Sequence, residues 1–173
     1  MIVRPAHLDD VMAVARVHVD SWRTSYAGIV PEDFLAGLRY ESREAMWRQG
    51  LENPAWRSVL YVAEDAPGQI IGFACAGPEL DETPAYTGKI YAIYLLQAAQ
   101  RKGAGRALMQ ACAQWLLARN HLSLLVWVLA ENPARRFYEA LGGQYVREEE
   151  IEIGGAVLME VAYGWRDIRT LAG

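Results

Sequence analysis

The segment Gln100-Arg101-Lys102-Gly103-Ala104-Gly105-Arg106 constrains the fold of this chain more than any other. It follows an apolar run at 89–95 and precedes Leu108, Ala111, Cys112, Trp115 and Leu116, an apolar stripe at helical spacing. A buried strand must therefore turn through two glycines directly into an amphipathic helix. Gly103 and Gly105 permit backbone conformations and close approaches that a Cβ forbids. A helix starting near Ala104 presents unpaired N–H groups and the positive end of its dipole. Arg101, Lys102 and Arg106 place three cations within six residues. The junction fits a phosphate or pyrophosphate, with a solvated glycine-rich helix start as the bland alternative. A Walker loop is excluded, because no Gly-Lys-Ser/Thr triplet follows, and Gly105-Arg106-Ala107-Leu108 breaks the GxGxxG fingerprint.

The rest of the chain bears on what such a site serves. Its 173 residues predict a single domain, 1–173, with 53% hydrophobic and 22% charged residues excluding disorder. A formal charge of −4 argues against nucleic acid as a partner while leaving room for one anionic ligand at a local basic loop. No apolar run approaches the ~20 residues needed to cross a bilayer. Cys75 and Cys112 stand in apolar segments with no metal-ligand spacing around them. No metal, no membrane and a cytoplasmic setting are the expectations.

Periodicity predicts a helix from Val11 to Trp22 with Asp9 or Asp10 at its cap, and a second helix over 42–51. Residues 58–64 and 70–76 read as a hairpin of strands buried on both faces. Strand 89–95, the glycine loop, its helix, strand 122–129, a helix over 133–141 and two strands turning at Gly154-Gly155 complete the order. This is an α/β fold with a mixed sheet and helices on both faces.

Three stretches in this order resemble the GNAT superfamily of N-acetyltransferases: Ile93 through Gly105, whose Gln100-Arg101-Lys102-Gly103-Ala104-Gly105 is similar to Gln/Arg-x-x-Gly-x-Gly/Ala; Asn132 with Phe137-Tyr138-Glu139-Ala140-Leu141-Gly142; and Trp22 with Tyr26-Ala27-Gly28. Gln97 stands where the loop often has Pro, and Asn132 lies six residues before Tyr138, one fewer than in many relatives. The resemblance implies a mostly antiparallel central sheet and acetyl-coenzyme A as acetyl donor. It implies cofactor contacts from Leu95, Gln100, Arg101, Lys102, Gly103, Ala104, Gly105, Arg106, Asn132, Arg135 and Tyr138. Within that set the resemblance makes the Leu95 N–H the oxyanion donor and the Tyr138 hydroxyl the acid for the leaving thiolate, while Ala134, Phe137, Tyr138 and Leu141 also fall at the spacing of a packed core face. Trp22, Tyr26 and Tyr91 are the acceptor-side candidates, and core packing is an equal reading for Trp22. Dimers are common in the family, so a homodimer is an expectation.

The acceptor amine poses the remaining problem. A lysine-like ammonium is neutral in only about one part in 2,500 at pH 7. Lys89 stands where some relatives place a carboxylate, leaving Glu79, Asp81, Glu82 and Tyr91 as water-linked bases or as a solvated loop. The acidic loop favours a cationic amine. Helical spacing makes His18 a packed side chain, and neither cysteine has a basic partner, so direct transfer in a ternary complex is expected. A non-catalytic acyl-coenzyme A-binding module is the alternative.

Overall fold

The computed structural model describes residues 1–80 and 86–173. Strand β1 (Ile2–Pro5) leads through a 3-10 turn at Leu8–Asp10 into α1 (Val11–Ser25). Helices α2 (Glu32–Gly37) and α3 (Tyr40–Glu52) precede the hairpin of β2 (Val59–Ala66) and β3 (Gln69–Pro78). After β4 (Gly88–Leu95) come α4 (Ala104–Leu117), β5 (Leu124–Leu129) and α5 (Arg135–Ala140). The chain closes with β6 (Gln144–Ile153), β7 (Ala156–Trp165) and α6 (Arg169–Ala172). Among the described residues the strands form one sheet ordered β1-β2-β3-β4-β5-β7-β6. Every pair is antiparallel except β4 with β5. The α/β reading, mostly antiparallel with helices on both faces, is what the structure has.

Strand β3 explains why its sequence is apolar throughout. Its Ala74 and Ala76 pack with Leu108, Cys112 and Leu116 of α4. Its Phe73 and Cys75 face the other way, against Val14 and Val17 of α1 and Trp47 of α3. A third cluster joins Val19, Tyr26 and Leu35 to Leu129, with Ile151 and Leu158 of the last hairpin against it. Both cysteines are free and buried; burial pushes the Cys75 thiol up to about 12 and raises that of Cys112. A thiol so held is no nucleophile.

Two local expectations need correction. Asp10 does not cap α1 with its side chain. Its carboxylate instead accepts the His7 N–H at 2.8 Å and two Arg4 bonds at 2.7 and 3.0 Å, tying β1 to the 3-10 turn. Glu79 is not solvated: its side chain is 1% exposed and lies 3.8 Å from Lys89 Nζ. Asp81 and Glu82 lie outside the described residues.

Candidate functional site

The parallel pair β4–β5 is short. Residues 88–90 pair with 124–126, after which β5 stays with β7 through Leu129 while β4 stays with β3 through Leu95. The two strands therefore splay. A bulge in β4 at Tyr91 adds to this, because Ala76 pairs with Ile90 but Cys75 with Ala92. It reverses the alternation, so that Ile90, Ile93 and Leu95 all pack toward α4 while Ala92 and Tyr94 pack toward α1. The Leu96 N–H donates to Ile71 O at 3.0 Å. Alternation in an antiparallel ladder then turns the Leu95 N–H away from β3, to the side β5 has left. A cleft of about 730 Å³ occupies the gap.

The glycine loop forms one end of this cleft. Arg101 has φ 60° and Gly103 φ 91°, two left-handed residues within three that bend the backbone before α4 begins at Ala104. Successive N–H groups in such a bend form a concavity suited to anions. The two glycines differ in their reasons. A Cβ on Gly103 would meet nothing within 4 Å, so its backbone angle alone requires glycine. A Cβ on Gly105 would stand 3.1 Å from Phe137 Cζ and 3.3 Å from Leu95 Cδ1, so this glycine seats α4 against α5 and β4. Gln100, Arg101, Gly103, Gly105 and Arg106 line the cleft; Ala104 is buried beneath the loop and Lys102 is exposed beside it.

Another part of the wall comes from α5. Tyr138 lines the cleft at 5% exposure, its ring against Phe137, Tyr163 and Trp165. Burial, with the neighbouring Tyr94 phenol second, raises its pKa above the ordinary tyrosine value. Asn132 also lines the cleft, and its Oδ1 accepts the Ala134 N–H at 2.9 Å, shaping the entry to α5. The Asn132 amide and the Tyr94 hydroxyl both lie close enough to the Tyr26 hydroxyl to influence its titration, so α1, β4 and the α5 entry meet at this phenol. Arg135 turns away: it donates to Tyr163 Oη and Ala130 O at 3.0 Å each, while Tyr163 donates to Glu139 at 2.6 Å. Its neighbour Arg136 lines the cleft.

Residues 17–143, spanning the loop, the splay and α5, match the model of the acetyltransferase (GNAT) family. The chain belongs to that family. A Bacillus subtilis (strain 168) protein, the uncharacterized N-acetyltransferase YuaI, is 44% identical over 171 residues, 98% of this chain and 95% of that one. Two solved GNAT-fold structures show the same fold. PaiA N-acetyltransferase from Thermoplasma acidophilum, in complex with coenzyme A, aligns with TM-score 0.70 and 18% identity over 92% of this chain and 96% of that one. A GNAT superfamily phosphinothricin acetyltransferase from Sinorhizobium meliloti, in complex with acetyl-coenzyme A, aligns with TM-score 0.72 and 19% identity over 95% and 86%.

The acceptor-side candidates of this GNAT chain part company. Tyr26 and Tyr91 line the cleft, and the Tyr91 hydroxyl donates to Pro78 O. Trp22 does not line it; its indole N–H is buried without a partner of good geometry, close enough to the Tyr94 hydroxyl to favour that phenol's ionised form. Lys89 lies with its ammonium 5.5 Å from the Tyr91 ring and near Glu79, outside the cleft lining. No Asp, Glu or His among the described residues lines the cleft. His18 packs as its spacing indicated. Its Nδ1 accepts the Trp47 indole N–H at 3.2 Å, and its ring stacks on Tyr94 at 5.1 Å. Tyr94 and Phe137 are among the lining residues that the candidate set did not include. Of the adjacent pair Arg135 and Arg136, both expected where a phosphorylated cofactor docks, only Arg136 lines the cleft.

Proposed function

We propose that this GNAT chain moves the acetyl group of acetyl-coenzyme A directly to a primary amine of a small molecule or peptide, in a ternary complex. The observation that carries the reading is a single cleft joining the left-handed loop at 101–103 to the splay where Leu95 has an outward N–H. The loop amides and Arg106 hold the pyrophosphate, with Arg136 lining the same cleft. The pantetheine arm fills the gap between β4 and β5. The Leu95 N–H donates to the thioester carbonyl oxygen as it gains charge, a contribution of roughly 3–4 kcal/mol for one such donor. The amine nitrogen forms its bond to the carbonyl carbon, the carbon–sulfur bond breaks, and Tyr138 supplies the proton the sulfur needs. Its raised pKa keeps the phenol protonated through the physiological range. Water takes the proton that the amine loses.

The cleft lining favours one other reading. With no acidic or imidazole base among the described lining residues, a non-catalytic acyl-coenzyme A-binding module also fits. Acetyl-coenzyme A should raise the melting temperature and protect residues 100–106 from hydrogen exchange in either case. Thiol release that depends on an added amine supports the enzyme; a thermal shift with no thiol release across an amine panel supports the module. No shift at millimolar acetyl-coenzyme A would sink both.

A further inference from the structure

A second cavity, of about 710 Å³, lies on the α1 side of β4. Tyr91, Ala92 and Tyr94 line both it and the cleft, so this bulged stretch of β4 is their shared wall. Trp22, Trp47 and Trp56 line it with Met46, Pro78 and Leu80, so aromatic and aliphatic groups share its surface. Its charged lining residues among those described are two cations, Arg43 and Arg57, with no carboxylate. The Arg43 guanidinium lies 5.8 Å from the Trp22 ring centre and its one side-chain hydrogen bond is a 4.0 Å contact to Met46 Sδ. No described carboxylate comes within ion-pair distance of it. A guanidinium laid on an aromatic face and lacking an anion is poised for bidentate capture of a carboxylate.

We propose that this cavity is the acceptor subsite and takes an amine that carries a carboxylate and an apolar side chain, as a free α-amino acid does. The proposal rests on the acetyl-transfer reading above. Arg43 holds the carboxylate, the tryptophans cover the side chain, and the amine reaches the cleft past Tyr91 and Tyr94. It departs from the cationic preference expected from the acidic loop, of which Glu79 is engaged with Lys89 and lines neither space, while Asp81 and Glu82 lie outside the described residues.

The test measures thiol release from acetyl-coenzyme A with L-phenylalanine and L-methionine, with their primary amides, and with spermidine. The amides are the less basic amines and so the richer in neutral nucleophile; a preference for the acids runs against intrinsic reactivity. The acids should be preferred at least tenfold in kcat/KM. Arg43→Gln should raise KM for the acids roughly tenfold to a hundredfold, as loss of a charge-assisted hydrogen bond does, with KM for acetyl-coenzyme A unchanged. Arg43→Lys should recover part of the loss. Amides or spermidine turned over as well as the acids would overturn the proposal and leave acetyl transfer standing. If no amine releases thiol, acetyl transfer fails, and tryptophan fluorescence decides the cavity alone. A saturable change with L-phenylalanine in the presence of coenzyme A, lost in Arg43→Gln, supports the carboxylate subsite, and no change overturns it.

Discussion

The phenols of Tyr26, Tyr94 and Tyr138 meet where α1, β4 and α5 converge, and burial raises the pKa of all three. Of these, Tyr138 alone stands on the α5 wall of the cleft, so its hydroxyl is the one to remove. Tyr138→Phe should lower kcat roughly a hundredfold, the scale of a lost general acid, with little change in acetyl-coenzyme A affinity or melting temperature. Unchanged turnover would return Tyr138 to a packing role. His18 gives a second residue-level test. Burial, and then Arg43, lower its pKa from 6.5 to about 3. Above pH 6.5 it is neutral folded and unfolded alike; below, only the unfolded chain takes up the proton, so stability falls with pH until about pH 3. At pH 4.5 the loss amounts to about 2–3 kcal/mol. Urea titrations at pH 7 and 4.5 should show it, and His18→Gln, which keeps an acceptor for Trp47, should flatten the difference. An equal acid loss in the variant would assign it elsewhere.

The elements were legible wherever one period dominated. The stripe on α4, the buried hairpin β2–β3 and the stop of α5 at Gly142, with φ 85°, follow from spacing and turn chemistry. The bulge at Tyr91 was not legible, because β4 is apolar at nearly every position and no alternation marks which face each residue takes. That bulge decides that Tyr94 packs toward α1 while Leu95 packs toward α4, so the two faces of the site had to come from three dimensions. The same holds for the glycines, where equal residues hide unequal reasons. Gly103→Ala should strain the left-handed start of α4 by about 1–2 kcal/mol and weaken acetyl-coenzyme A binding by reshaping the cradle. Gly105→Ala should instead displace Phe137, shifting α5 and lowering kcat through Tyr138. Calorimetry on both variants, beside their kcat values, separates the two; identical binding losses would mean a shared backbone role.

At the scale of the molecule, a chain of net charge −4 gathers Arg101, Arg106 and Arg136 around one cleft. The acidic run Glu148-Glu149-Glu150 lies on the exposed edge strand β6. On the proposed reading, long-range repulsion between an acidic protein and a polyanionic cofactor is overcome locally, by backbone N–H groups and three cations. Local attraction at a partly open site is screened once the Debye length shrinks from ~10 Å at 0.1 M salt toward ~3 Å at 1 M. The acetyl-coenzyme A Kd should accordingly rise severalfold between 0.05 and 0.5 M salt. S-acetylpantetheine keeps the thioester and the arm but has no phosphates, so its weaker binding should barely respond to salt. Parallel titrations by isothermal calorimetry read both slopes. A common slope would mean that the loop at 101–106 does not hold the phosphates, and that cofactor affinity resides in the gap between β4 and β5.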